Sequence, residues 1–322
     1  MRVLVAGGAG FIGSHLCDAL LALGHSVVVL DNFITGSRDN LKHLKDNPAF
    51  YYQEHDIVDP LPQISCDAIF HLASPASPEG YGRYPLETLM TNAQGTYHLL
   101  ELATQEGAKF LLASTSEVYG DPLVHPQPED YWGNVNPVGP RSCYDEGKRF
   151  AEALTVNFAQ QKGLDARIVR IFNTYGPRNQ PEDGRIIPNF LTQALAGDPI
   201  TVYGDGLQSR SFCYVSDLVE GLLRAMYSDD TKEQVINLGN PEERTVLEMA
   251  KLAKTLAKSG SPIVHLPGRP EEIARRQPDI SKATGLLGWH PTVGLEEGLQ
   301  QTVLWFREKL ADRASVQSST GS

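Results

Sequence analysis

MRVLVAGGAGFIGSHLCDALLALGHSVVVLD, residues 1–31, reads as strand, glycine turn, helix and strand in immediate succession. Arg2–Ala6 is a short apolar run of Val and Leu, the composition of a strand buried on both faces. The cluster Gly7-Gly8-Ala9-Gly10-Phe11-Ile12-Gly13 follows, and then Ile12, Leu16, Ala19, Leu20 and Leu23 recur at helical spacing as far as Gly24, a fitting C-terminal cap. Ser26–Leu30 is a second buried-strand pattern, and it ends in Asp31. Glycines at positions 7, 10 and 13 permit a tight turn, let the backbone approach a pyrophosphate, and let helix and strand pack closely. An acidic residue ending the next strand is placed to bind the adenosine ribose hydroxyls. Asp31 would repel a 2′-phosphate, so the pattern favours NAD over NADP, an inference only slightly tempered by Arg38 nearby. Asp56, after the third strand, is placed to reach the adenine or to cap a loop.

The alternation continues outward from this unit. Strands are predicted at Ala49–Gln53, Ala68–Leu72, Lys109–Ala113 and Ala166–Phe172, with helical patterns at roughly 85–106 and 143–162. Apolar strands separated by helices predict a doubly wound parallel α/β sheet covered on both faces. Beyond residue 173 the rhythm changes: Pro177, Pro181, Pro188 and Pro199 break the chain into short pieces, with helices near 216–228, 245–258 and 294–309. The expected organisation is a nucleotide-binding core over 1–172, a smaller lobe interleaved with it over 173–312, and a small, polar, disordered tail over 313–322.

Composition excludes several classes. The 28 basic residues are outnumbered by 39 acidic ones, for a net charge of −11, which argues against a nucleic-acid partner. Cys17, Cys66, Cys143 and Cys213 form no CxxC pair, and the nine histidines make no close ligand pair, so no metal site is expected. No apolar run reaches the roughly 18 residues of a membrane span. A strand begins at residue 2, which leaves no room for a signal peptide, and a cytoplasmic protein is expected.

Ser142-Cys143-Tyr144-Asp145-Glu146-Gly147-Lys148 places Tyr144 and Lys148 four residues apart on one helical face. An ammonium there can lower the phenol pKa and bind the nicotinamide ribose, making Tyr144 a usable base. Upstream, Ser114-Thr115-Ser116-Glu117-Val118-Tyr119-Gly120 stands at a strand's C-terminal end, where such sheets bind ligands.

Taken together, these motifs resemble the extended short-chain dehydrogenase/reductase superfamily, whose fold is the Rossmann sheet. STSEVYGDP (114–122), HPQPEDYWGNVNPVGPRSCYDEGKR (125–149) and IFNTYGPR (171–178) are similar to the UDP-glucuronate decarboxylases, also called UDP-xylose synthases, over residues 1 to about 310. The resemblance implies Tyr144 as base, Lys148 as its partner, and Thr115 and Glu117 beside the sugar. It implies Arg276, in RRQPDI (275–280), near the substrate carboxylate, and Asn173, Asn189 and Arg210 on the UDP-sugar, with Arg185 and Tyr203 completing the substrate set. Thr91 and Ser74 match cofactor-lining positions; Gly7, Gly10, Phe11, Ile12, Gly13, Asp31, Asn32, Asp56, Ile57 and Leu72 line the same NAD site, together with Tyr144 and Lys148. Met90 stands where the family has a lysine.

The implied activity is loss of CO2 from UDP-glucuronate to give UDP-xylose, through a 4-keto sugar and with NAD regenerated in each cycle. A 4,6-dehydratase would carry Asp where Ser116 stands, and a 4-epimerase generally lacks the Glu at 117. A non-catalytic NAD-binding subunit would have a broken Tyr/Lys pair, which is intact here. A homodimer through the helices at 85–106 and 143–162 is the family expectation.

Overall fold

The computed structural model describes residues 1–268 and 273–320, the side chains of 313–320 excepted. The core unfolds in the order the sequence predicts: β1 (Arg2–Ala6), α1 (Phe11–Ala22), β2 (Ser26–Asp31), β3 (Phe50–Glu54), β4 (Ala68–His71), α2 (Pro78–Arg83), α3 (Pro85–Met90), a π-helical turn at Thr91–Gly95, α4 (Thr96–Glu106), β5 (Lys109–Thr115), α5 (Ser142–Lys162) and β6 (Ala166–Ile171). The single helix expected over 85–106 is thus widened in its middle by the π turn. Such turns often mark functional positions, and this one carries Thr91 and Asn92.

The rest of the chain comprises β7 (Thr174–Tyr175), α6 (Ile186–Ala196), β8 (Ile200–Tyr203), β9 (Ser209–Ser211), β10 (Cys213–Tyr214), α7 (Val215–Tyr227), β11 (Val235–Leu238), β12 (Glu243–Thr245), α8 (Val246–Ala257), β13 (Ile263–Leu266), β14 (Arg275–Arg276), α9 (Ser281–Leu287) and α10 (Leu295–Thr320). Helix α6 was hidden because Pro188 reads as a break. It occupies the first turn of the helix, where a missing N–H costs no intrahelical bond. Helix α10 starts from a buried face of Leu299, Val303 and Phe306 and continues to Thr320, across most of the tail expected to be disordered; residues 321–322 lie outside the described residues.

Seven parallel strands form the main sheet in the order β11-β6-β5-β4-β1-β2-β3. The order reverses between β1 and β4, which opens a crevice at their carboxyl ends. One face of the sheet is covered by α1 and α7 through Leu16, Leu20, Leu218, Leu222 and Met226. The other is covered by α4 and α5 through Leu99, Leu100, Ala103, Ala151 and Ala159. Segment 215–238 therefore returns from the second lobe to complete the first, with β11 pairing β6 as the seventh strand. A separate core of Phe190, Leu191, Val202, Met249, Leu299 and Phe306 holds the second lobe.

Candidate active site

The crevice at the β1/β4 reversal is built from backbone. Gly7 adopts φ +83°, and a Cβ there would lie 2.6 Å from the Ala73 nitrogen. A Cβ on Gly13 would lie 2.2 Å from the Gly7 carbonyl oxygen, so α1 abuts the turn only because both are glycine. Gly10 differs, since a Cβ on it would meet only the Gly7 oxygen at 3.2 Å, which leaves that side open to a ligand. The first intrahelical bond of α1 runs from the Ser14 amide to Gly10 at 3.0 Å, and the amides of Phe11, Ile12 and Gly13 precede it with no acidic side chain in the first turn. That is a ready anion site.

Asp31 is buried beside this turn, accepting from the Ala9 amide at 2.9 Å and the Phe33 amide at 2.8 Å. Burial pushes its carboxyl up, against the pull of those two amides. Arg38 pairs with Glu54, its guanidinium 4.1 Å over the Phe33 ring, and its charge still acts on Asp31. Asn32 donates to Asp56 at 2.8 Å. A cavity of about 470 Å³ is lined by Gly7, Gly10, Asp31, Asn32, Asp56, Ile57, Leu72, Ser74 and Thr91, all predicted from sequence. Ile34, Thr35, Gly36, His55, Ala73 and Pro75 also line it. They lie in connecting loops, where no periodicity marks them. The cradle fits a dinucleotide: open glycine backbone and free helix amides for the diphosphate, a fixed carboxylate for the ribose.

Tyr144 and Lys148 stand on the buried face of α5. Burial raises the Tyr144 phenol; a hydrogen bond with Thr115 and the charges of Arg185 and Arg141 pull it back down. The sequence reading gave that role to Lys148. Here the Lys148 Nζ donates to the Ala113 carbonyl at 2.9 Å, and burial lowers its pKa to about 7, with Glu152 one turn on opposing that fall. The Tyr81 ring stacks on Tyr144 at 5.3 Å between centroids, which fixes the plane of the phenol. Sequence gave no sign of this contact.

Thr115 ends β5 and caps the following turn by accepting from the Glu117 amide at 3.2 Å, which sets Glu117 one step from the phenol. Glu117 is held by two guanidiniums, Arg276 on one oxygen and Arg141 on the other. Arg276 also donates to the Gly120 carbonyl at 2.9 Å. It is 2% exposed, and burial lowers its pKa to about 10. Arg141 was missed, although it lies inside the family block at the start of α5. Behind the site, Arg170 makes a two-pronged pair with Glu152 at 2.9 and 2.8 Å, Ser114 donates to Glu152 at 2.6 Å, and Arg170 reaches the Tyr119 hydroxyl at 3.0 Å. This network locks α5 to β5 and β6.

The remaining predicted residues occupy the second lobe and its junction. Arg185 precedes α6 and donates to the Ala76 carbonyl, close enough for its charge to act on Tyr144. Asn189 donates to Gly184 at 3.1 Å, the Asn173 carbonyl receives Cys213 at 2.9 Å, and Tyr203 ends β8. Arg210 lies on β9 in register with Arg276 on β14. Met90 ends α3, 45% exposed. Among the described residues no group of three His, Cys, Asp or Glu could hold a metal ion, and no helix is long and apolar enough to cross a membrane.

Comparison with known proteins agrees with this geometry. Residues 3–239 match the model of the NAD dependent epimerase/dehydratase family. UDP-glucuronic acid decarboxylase 1 of Danio rerio is 54% identical over 98% of this chain and 75% of its own length. UDP-glucuronic acid decarboxylase 4 of Arabidopsis thaliana is 52% identical over 100% of this chain and 72% of its own. Among solved structures, UDP-glucuronic acid 4-epimerase from Bacillus cereus, in complex with UDP-glucuronic acid and NAD, superposes with a TM-score of 0.86 at 31% identity, covering 96% of this chain and 100% of that one. UDP-glucose 4-epimerase from Thermotoga maritima, with UDP-glucose, gives a TM-score of 0.88 at 34% identity, with coverage of 96% and 100%.

Proposed function

The chain belongs to the NAD dependent epimerase/dehydratase family, and from that premise we propose that it converts UDP-glucuronate to UDP-xylose and CO2 through a transient UDP-4-keto sugar. The observation that carries this reading is the meeting of Glu117, Arg276 and Tyr144 at one point, in a chain of which 98% matches a decarboxylase. NAD is the cofactor, held by the glycine turn, the first amides of α1 and Asp31.

Loss of CO2 from C5 leaves an electron pair that needs an acceptor, and a C4 carbonyl supplies one by making the substrate a β-keto acid. NAD, which the glycine turn, the first amides of α1 and Asp31 would hold, would supply the hydride acceptor and donor for C4. Tyr144 removes the C4 hydroxyl proton, and Thr115, already bonded to the phenol, steadies it and the enolate oxygen that follows. Lys148, whose pKa burial lowers to about 7, would stand by the cofactor ribose from the same face of α5 as Tyr144. Arg276 orients the sugar carboxylate, while Glu117 assists proton transfer at the sugar face. Asn173, Arg185, Asn189, Tyr203 and Arg210 hold the UDP portion.

The direct test is incubation with UDP-glucuronate and NAD, with product identification by NMR and trapping of CO2. UDP-xylose and CO2 in equal amounts are expected. UDP-galacturonate without CO2 would refute decarboxylation and make the protein a 4-epimerase.

A homodimer belongs to the same proposal. Tyr97 on α4 and Phe150 and Val156 on α5 leave a substantial part of their rings and branches exposed on neighbouring helices, a face suited to a second copy. Light scattering at micromolar concentration checks it, and a monomer refutes it. A cytoplasmic setting is supported by four buried, unpaired cysteines.

A further inference from the structure

We propose that Arg141 is a positioning residue that keeps Glu117 paired while Arg276 turns to the carboxylate of the sugar. The proposal rests on the decarboxylase reading and adds a residue to it. Glu117 divides its two oxygens between Arg276 and Arg141. Arg276 is almost wholly buried, and its Nε has no hydrogen-bond partner. A buried guanidinium with a spare donor is poised for another acceptor, since leaving it unmade is costly. The Arg141 Nε likewise has no hydrogen-bond partner, but Arg141 is rooted in a different element. Its backbone carbonyl receives the amides of Tyr144 and Asp145, each at 3.0 Å, so it forms the first turn of α5, and its Nε lies 3.9 Å from Asp145. Its backbone is thereby fixed at the N-terminus of α5, which roots the guanidinium on the element that carries Tyr144.

The charge balance explains why two guanidiniums are needed. Glu117, Asp145, Arg141 and Arg276 sum to zero. The other titratable groups around them are Tyr144 on α5, Tyr81 on α2, Asp121 after the Glu117 turn and Arg185 from the second lobe. Adding a substrate carboxylate is tolerable while both arginines remain. Without Arg141, Glu117 has Arg276 as its one guanidinium partner, the cluster is already negative, and Arg276 is no longer free for the sugar.

The experiment is calorimetry with UDP, UDP-glucose and UDP-glucuronate on the NAD-loaded enzyme carrying Tyr144→Phe in every variant, so that the sugar binds without being turned over. Arg141→Met should weaken UDP-glucuronate by about tenfold and leave UDP unchanged. Arg141→Lys should recover most of the loss. Adding Glu117→Gln to Arg141→Met should restore UDP-glucuronate affinity, because a neutral amide releases Arg276. Equal weakening of both ligands would mean a merely structural role and overturn the proposal. So would an unchanged affinity in Arg141→Met, or no recovery in the double variant. If the Tyr144→Phe parent binds UDP-glucuronate no better than UDP-glucose, the decarboxylase reading itself fails, and the proposal with it.

Discussion

Replacing Lys148 by Met should make the nucleotide-free protein more stable and inactive at once. Lys148 is fully buried, and its pKa falls from 10.5 to about 7 because the interior disfavours the ammonium. At about 1.4 kcal/mol per pH unit, holding the charge in this site costs about 5 kcal/mol at pH 6. The sign follows from proton counts. Between pH 7 and 10.5 the unfolded chain holds a proton that the folded one has lost, so wild-type stability rises with pH across that window. The penalty is complete below pH 7 and gone above 10.5. By pH 9 it has shrunk to about 2 kcal/mol. Methionine removes the penalty but leaves the Ala113 carbonyl without its donor, a loss of about 1–3 kcal/mol. The variant should therefore gain about 2–4 kcal/mol at pH 6 and about nothing at pH 9. Urea unfolding of both proteins at pH 6, 7.5 and 9 measures this. A variant no more stable at pH 6, or a gap that does not close with pH, refutes the reasoning.

Tyr144→Phe should lower turnover of UDP-glucuronate by about 10²–10⁴-fold while binding survives; single-turnover absorbance at the NADH band checks it, and near wild-type reduction would remove Tyr144 as base. NAD should bind about a hundredfold more tightly than NADP, because the buried Asp31 carboxylate would meet the ribose 2′ position and repel a phosphate there. Equal affinities in calorimetry would refute that. Arg170→Met should destabilise the fold by about 3–5 kcal/mol by leaving Glu152 charged, buried and without its two-pronged partner; chemical denaturation decides it, and a loss under 1 kcal/mol, the ordinary scale of an exposed pair, would count against the network.

The nucleotide half of the site was legible because its chemistry is local. Gly7, Gly10 and Gly13 act within one turn, and Asp31 follows at the end of the next strand, so spacing and residue type carry the whole argument. All six early strands lie where unbroken apolar runs placed them, with ends shifted by a residue or two. The seventh strand escaped notice. Val235–Leu238 is only four residues long, and it joins β6 by a return across the second lobe that no periodicity announces. Helix α6 escaped because Pro188 is a breaker in the interior of a helix and harmless in its first turn, and sequence does not say which applies.

The catalytic half is different, because its charges are partnered over long distances. Arg276 and Glu117 are 159 positions apart, and they meet only because the two-residue strand β14 lies beside β9 and carries Arg276 into the crevice. A two-residue strand has no pattern to read. Energetics explains why the meeting is nonetheless firm. A buried guanidinium is tolerable only with its carboxylate and carbonyl partners in place, and these come from Glu117 and Gly120, in the turn after β5. The second lobe can thus bury Arg276 only against the first, and the first can hold Glu117 beside the phenol only with Arg141 and Arg276 around it. The same pairings that close one lobe on the other set the carboxylate, the guanidiniums and Tyr144 in one place. For that reason, losing Arg276, the charge that the second lobe contributes, should disturb substrate recognition and the joining of the lobes together.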